Sequence, residues 1–277
     1  MEQAHWTRVA DGRHELDLLT ARFHQHAYAR HSHDTFAIGV VLSGSERFTY
    51  RGGGHHAGVG SVAILEPGEP HDGQAAEPGG WAYRVLYPTE ALLMEGRATR
   101  PHFRDAVLDD PLVGQLVRAA HEELTSGADR LAGHSRLVWA LECLIARHGG
   151  RAGAPPRPPR VADPAADRVV RLVRDRLSAD LAIQPSLRDL AASVDLSPYH
   201  MLRVFRAATG FPPHAWLVLE RICRARHLLA AGCTPASISA EVGFADQAHM
   251  TRWFKRVVGV TPAAYRNSVQ DPRRLRP

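Results

Sequence analysis

The chain has 277 residues, a hydrophobic content of 44%, a formal net charge of +5 and three cysteines. This length suggests two domains with a core each, and no apolar run reaches the roughly 18 residues that a membrane-spanning helix needs. The cysteines Cys143, Cys223 and Cys233 are scattered through the sequence, which argues against a disulfide framework.

The charge is divided unevenly along the chain. Residues 1–163 contain 17 Lys and Arg against 20 Asp and Glu, whereas residues 164–277 contain 17 against 9. The basic C-terminal part is typical of a surface that neutralises nucleic-acid phosphates. The N-terminus lacks a positive segment followed by an apolar stretch, so no signal peptide is predicted and a cytoplasmic location is expected.

The first half of the chain has the pattern of a β domain. The first few residues are predicted to be a mobile arm, and residues 15–23 a strand. From residue 36 onward, short apolar or alternating runs are separated by glycine-rich turns; they cover residues 36–42, 46–50, 59–65 and 81–87. Several short strands at nearly regular spacing predict a small barrel or jelly roll.

Three histidines form a candidate site in this β region. His31 and His33 alternate, so on a strand they lie on one face, and His71 follows a turn that contains Pro67-Gly68. Neutral imidazoles are good ligands for zinc, iron, copper or nickel. The alternative is that these side chains form hydrogen bonds within the barrel or line a pocket for an organic effector.

Helical patterns follow the strands. Thr89 is placed to cap a short helix that ends at Met94, and a longer helix is predicted to start near Asp110. Another helix is indicated by an apolar face, which comprises Leu131, Leu137, Val138, Leu141, Leu144 and Ile145. Residues 149–164 contain Gly-Gly and Pro-Pro and are predicted to be a linker.

The C-terminal part contains a helix-turn-helix pattern. Ser186 is a good N-cap for a short helix, and Asp195-Leu196 marks the turn. Ser197-Pro198 then begins a second helix, because the hydroxyl caps free N–H groups and proline needs no partner there. In this second helix the inward positions are apolar, and the outward positions are Tyr199, His200, Leu202, Arg203 and Arg206.

The same arrangement recurs about fifty residues later. Thr234-Pro235 begins one helix, Gly243 makes the turn and Asp246 caps the next helix. Its outward positions are Gln247, Ala248, Thr251, Arg252 and Lys255. An amphipathic helix over residues 214–231 joins the two units, and its length suits two reading helices about one DNA turn, roughly 34 Å, apart.

These residues resemble the DNA-binding domain of the AraC/XylS family. The resemblance rests on Trp216-Leu217, Arg221-Ile222, Val242-Gly243-Phe244, Phe254-Lys255 and the run from Thr261 to Arg266. It implies that one chain reads two successive major-groove segments of double-stranded DNA with the outward residues of the two second helices. Leu202 and Ala248 donate no hydrogen bond, so their best contact there is a thymine methyl group.

The N-terminal part resembles the cupin-like effector domain of the same family over residues 15–90. Metal-binding cupins usually add a glutamate after the two alternating histidines, whereas this chain has Phe36 and Ala37; Glu66 or Glu69 would replace it only if the fold brings one inward. The helices before the linker resemble the family's antiparallel dimerisation element, although they would also serve simply to cover the barrel.

The sequence therefore predicts an α+β chain with a cupin-like N-terminal domain and an all-α domain with two helix-turn-helix motifs. The resemblance implies a homodimeric regulator that binds a small effector and DNA. Activation through RNA polymerase is the commoner outcome in the family, and repression is the alternative to it. The alternative is a metal-binding cupin, either sensor or metalloenzyme, although no catalytic set is visible and no enzyme is predicted. The expected divisions are a cupin-like effector domain with an N-terminal arm (residues 1–95), a helical dimerisation element (96–148), a linker (149–164), the DNA-binding domain (165–268) and a C-terminal tail (269–277).

Overall fold

The structure is a computed structural model that describes residues 2–10, 14–127, 130–151 and 164–270. The chain divides into two compact units: the first comprises residues 1–155 together with residues 267–277, and the second comprises residues 156–266. Over the described residues, no helix is both long enough and apolar enough to cross a lipid bilayer.

The first unit is built on two antiparallel sheets. Its strands are β1 (Gln3–Ala10), β2 (Glu15–Phe23), β3 (Ala27–His31), β4 (Ala37–Gly44), β5 (Glu46–Tyr50), β6 (Gly53–Ala57), β7 (Val62–Leu65), β8 (His71–Ala75), β9 (Trp81–Tyr87) and β11 (Val107–Leu108). The larger sheet has the order β1-β2-β9-β4-β7-β11 and the smaller one the order β3-β8-β5-β6. These sheets fit the predicted jelly roll without closing into a barrel.

The predicted N-terminal arm is instead strand β1. It pairs with β2 along its whole length, from Gln3 opposite Arg22 to Ala10 opposite Glu15. Trp6 is buried at its centre, and its ring stacks on that of Tyr87 at 5.1 Å. A polar edge strand has few apolar residues, so the sequence alone gives little sign of the pairing that holds it.

Helices cover the larger sheet of this unit. They are α1 (Glu90–Met94), α2 (Pro111–Ser126) and α3 (Arg130–His148), and between α1 and α2 lies β10 (Pro101–Phe103), which pairs with β12 (Gly149–Arg151). The predicted cap Thr89 is confirmed, because it accepts from the Leu92 amide. The longer helix begins directly after Asp110, as predicted, and the Asp110 side chain caps it by accepting from the amides of Leu112 and Val113. The same Asp110 carboxylate also accepts from Arg147 and His148 at the end of α3, and each donor nitrogen lies 2.7 Å away.

The predicted single apolar face of α3 is split in the structure. Leu137, Leu141 and Leu144 are buried in one core with the sheets and α2. By contrast, Leu131 is 78% exposed and Val138 is 51% exposed. Neighbouring helical positions differ by about 100° in direction, so Val138 points away from the core that Leu137 enters.

The second unit is entirely helical over its described residues. It contains α4 (Pro164–Ser178), α5 (Leu187–Ala192), α6 (Pro198–Thr209), α7 (Pro213–Ala230), α8 (Pro235–Ile238), α9 (Gln247–Val258) and the first part of α10 (Pro262–Gln270). This confirms the two predicted helix-turn-helix motifs. Most of the predicted linker, and the predicted tail beyond residue 270, lie outside the described residues.

Candidate nucleic-acid interface and histidine cluster

The second helices of the two motifs, α6 and α9, have the same length and the same ends. Ser197 caps α6 by accepting from the His200 amide at 3.3 Å, and Asp246 caps α9 by accepting from the His249 amide at 2.6 Å. Both helices have 12 residues and end at a left-handed glycine, with φ values of 78° at Gly210 and 85° at Gly259. The shared local chemistry makes α6 and α9 two copies of one element.

The buried faces of the two helices also match. Met201 and Phe205 of α6 are fully buried, as are Met250 and Phe254 of α9. Each pair is separated from its counterpart by 49 residues, the same offset as the caps. Because the inward faces coincide, the outward faces coincide as well, and positions can be compared one to one.

The predicted DNA-binding residues form the outward faces of α6 and α9. The exposed members are Tyr199, His200, Arg203, Arg206, Gln247, Ala248, Arg252 and Lys255, and the half-buried members are Leu202 and Thr251. At the 49-residue offset, Arg203 corresponds to Arg252 and Arg206 corresponds to Lys255. None of these four cations forms an ion pair with a described residue, so their charges face solvent.

A buried arginine links the second motif to the rest of its unit. Arg221 of α7 is 4% exposed, and its Nε donates to the Leu181 carbonyl at 2.8 Å. Burial lowers the pKa of this guanidinium. The turn residue Gly243 lies against both groups: a Cβ there would be 2.0 Å from the Leu181 oxygen and 2.8 Å from Arg221 Nε. The sequence predicts the turn at Gly243 but not the contact of Gly243 with Leu181 and Arg221.

The first unit brings the three predicted histidines together. His31 ends β3 and pairs across the sheet with His71 at the start of β8, next to a register shift in β3. One ring nitrogen from each of His31, His33 and His71 lies within 4.8 Å of the other two. The Nε2 atoms of His33 and His71 are 3.1 Å apart.

Two of these rings are oriented by the backbone. His31 Nδ1 lies 2.8 Å from the Ala29 carbonyl, and His71 Nδ1 lies 2.9 Å from the Glu69 carbonyl. A carbonyl only accepts, so both Nδ1 atoms carry the proton and both Nε2 atoms present a lone pair. Burial lowers the pKa of His71 to about 4, which keeps this ring neutral at pH 7.

Glu66 does not join the histidines. Its carboxylate is buried, forms an ion pair with Arg51 at 3.1 Å, and accepts from Arg100 at 3.2 Å and from the Phe103 amide at 2.8 Å; His102 Nδ1 also lies 2.8 Å away. This set of partners occupies both of its oxygens. The condition under which Glu66 would replace the missing cupin glutamate, a position beside the three histidines, is therefore not met.

An aromatic cluster that the sequence did not indicate lies beside the histidines. The Tyr28 and Tyr83 hydroxyls form a 2.7 Å hydrogen bond, and the Trp81 and Tyr83 rings stack at 5.7 Å with an angle of 7°. Tyr28 also contacts the ring of His31 at 5.6 Å. Alternation along β9, at residues 81, 83, 85 and 87, is the signal that could have revealed two members of this cluster.

Glu46 adds a carboxyl group next to these rings. Burial, and then the nearby charge of Asp72, raise the pKa of Glu46 to about 8. A Cβ added at Gly73 would lie 2.5 Å from Glu46 Oε1 and 3.7 Å from the Tyr28 ring, so carboxyl and ring approach the same backbone position. The unit therefore combines polar and aromatic groups in its interior, as small-molecule sites commonly do.

Comparison with known families covers most of the chain. Residues 13–141 match the family described as AraC-like ligand binding domain, and residues 190–268 match a helix-turn-helix domain. The first match contains the histidine and aromatic clusters, and the second contains α6, α7 and α9.

Relatives with the same domain order match over both units. A Bacillus subtilis protein named uncharacterized HTH-type transcriptional regulator YbfI is 26% identical over 229 residues, which cover 80% of this chain and 81% of that protein. The arabinose operon regulatory protein of Escherichia coli K12 is 26% identical over 253 residues, which cover 84% of this chain and 78% of that protein.

Solved structures agree with the fold. A crystal structure of ToxT from Vibrio cholerae O395 has a TM-score of 0.56 at 11% identity, over 97% of this chain and 98% of that one. At this identity the likeness concerns architecture alone. The predicted family and architecture are thereby confirmed: the chain is an AraC/XylS-family transcriptional regulator, in which an AraC-like ligand-binding domain precedes a DNA-binding domain with two helix-turn-helix motifs.

Proposed function

We propose that this regulator reads two successive major-groove segments of DNA with α6 and α9. The observation that carries the proposal is the 49-residue repeat of cap, buried pair and exposed cations in the two helices. A single exposed basic helix is common in helical domains. Two copies with matching outward faces, joined by the 18-residue α7, are the arrangement that a tandem reader requires.

The outward side chains suggest a division of roles. Of the four cations, Arg203 and Arg252 lie nearer the N-terminus of their helices. From there a guanidinium can donate two hydrogen bonds to a guanine. Arg206 and Lys255, one turn further on, suit phosphate contacts. The remaining proposed contacts are Tyr199, His200, Leu202, Gln247, Ala248 and Thr251.

Selection of binding sites from a random DNA library tests these roles. We expect Arg203→Ala and Arg252→Ala each to weaken binding to the selected site by about 1–3 kcal/mol and to relax preference at one position in different halves of the site. Arg171→Ala, an exposed change on α4, is the matched control and should leave the selected sequence unchanged. Identical selected sequences from all four chains would contradict the assignment of α6 and α9.

We also place the effector site in the first unit, at the tyrosine–tryptophan cluster beside His31, His33 and His71. Support comes from the Trp81 indole N–H, which is buried without a hydrogen-bond partner among the described residues. A buried donor of this kind is stabilised by a ligand that brings an acceptor. A ToxT structure of the same fold, with 12% identity and a TM-score of 0.53, was solved with an unsaturated fatty acid bound to that protein.

Control of transcription by this effector requires a difference in affinity. The effector must bind one arrangement of the regulator more tightly than another, since equal affinity shifts no equilibrium. We propose that the regulated form is a homodimer paired through the exposed face of α3, which presents Leu131, Val138 and Trp139. In this proposal the DNA-bound dimer activates transcription through RNA polymerase in the bacterial cytoplasm, where the DNA is.

A further inference from the structure

We propose that His31, His33 and His71 form a site for one divalent first-row transition metal ion, held by three imidazole nitrogens. The proposal goes beyond DNA reading and effector binding, and its evidence is separate from the evidence for both. It is carried by the spacing of the ring nitrogens, by the way their orientation is fixed, and by the absence of room for a larger group between them.

The spacing suits a metal ion. Imidazole nitrogens bind zinc at about 2.0–2.1 Å, so two of them on one ion lie about 3.0 Å apart at a right angle and about 3.4 Å apart in a tetrahedron. The Nε2 atoms of His33 and His71 are 3.1 Å apart. The third nitrogen lies within 4.8 Å of both.

The orientation of the rings is the kind found around bound metals. Ligating histidines usually donate their second ring N–H to a carbonyl or carboxylate, which fixes the tautomer and increases the basicity of the ligating nitrogen. His31 and His71 both do so, each toward the carbonyl of the residue two positions earlier. In the structure His33 Nε2–H donates to His71 Nε2. Metal binding would move the His33 proton to Nδ1, so that both Nε2 lone pairs face the ion.

The size of the cluster excludes an organic molecule between the three nitrogens. Ring centroids separated by 4.3 Å for His31 and His71 and by 4.5 Å for His33 and His71 leave no space for a carbon skeleton. Since Glu66 is held by Arg51 and Arg100, a bound ion keeps at least one coordination position open. A water molecule or an effector oxygen would fill that position.

Cobalt uptake by the untagged full-length chain tests the proposal. After treatment with a chelator and its removal, titration with Co²⁺ should give visible d–d absorption that saturates at one ion per chain. We expect no sulfur-to-cobalt charge-transfer band, which separates this site from the cysteines. His33→Ala, a half-buried position, should weaken Co²⁺ binding by more than about 100-fold, since loss of an outer-shell partner alone reaches that range.

His56→Ala is the matched control, because His56 is an exposed histidine on β6 of the same unit, and this variant should bind Co²⁺ like the wild type. Circular dichroism of each variant shows whether it is folded. If His33→Ala is unfolded, nitrogen NMR of the wild type decides: Zn²⁺ should shift the ring nitrogens of three histidines. Absence of saturable uptake, equal binding by His33→Ala, or shifts confined to other histidines would each overturn the proposal.

Discussion

Replacing Gly243 with alanine tests how the second helix-turn-helix motif is held. Two effects add at this position. The φ of 85° is a left-handed conformation, which costs an alanine about 1–2 kcal/mol. The new Cβ would also lie 2.0 Å from the Leu181 carbonyl oxygen, so the backbone must move and the hydrogen bond from buried Arg221 is lost.

The magnitude follows from these two contributions. A hydrogen bond to a charged group contributes about 1.5–3 kcal/mol, and here its loss leaves a buried guanidinium without its acceptor. The backbone strain and the lost hydrogen bond add, so we expect Gly243→Ala to destabilise the DNA-binding unit by about 3–5 kcal/mol. This is a large part of the roughly 5–15 kcal/mol that stabilises a typical domain.

Native-state hydrogen exchange is the suitable assay, because it follows the second unit inside the full-length chain. Amides of α9 should exchange between roughly 100-fold and several thousand-fold faster in Gly243→Ala, at about 1.4 kcal/mol for each factor of ten. The matched control is Asp195→Ala, at the equivalent turn of the first motif, where an exposed side chain already occupies a φ of 53°. If both variants change exchange equally, the contact with Leu181 and Arg221 contributes nothing and the reasoning is refuted.

Two further predictions concern the first unit. Trp139→Ser, at a position that is 61% exposed, should shift the protein from dimer to monomer in sedimentation velocity without loss of helix, whereas unchanged association would exclude the α3 face. Glu46 binds its proton more tightly when folded, so its stabilising contribution is present below pH 4.5 and lost as pH rises to about 8. Glu46→Gln should therefore gain thermal stability relative to wild type across that window; a constant difference would refute the raised pKa.

The helices of the DNA-binding unit were predictable because their signals are local. Ser197 and Asp246 mark helix starts within one turn, and the apolar spacing that follows fixes which side chains are buried. The histidine cluster was predictable for a related reason. His31 and His33 are close in sequence, and only the position of His71 depended on the fold.

Features that depend on distant pairing could not be predicted. Glu46 and Tyr28 approach one another across Gly73, through strand pairings that no local pattern specifies. The burial of Arg221 follows in the same way from contact with Leu181, forty residues away. The division of the α3 face needed the position of the sheets, because apolar residues on two sides of a helix look alike in sequence.

The contact of Arg221 with Leu181 and Gly243 has a consequence for the DNA sites that this regulator can use. Because this buried contact holds the second turn against the body of its unit, α6 and α9 keep a constant separation and phase along the duplex. B-DNA turns by about 34° per base pair, so inserting five base pairs between the two segments would carry one of them to the opposite face. Under the proposed tandem reading, spacing within the site of one chain is constant among operators, and in the proposed homodimer any variation in spacing lies between the sites of the two chains.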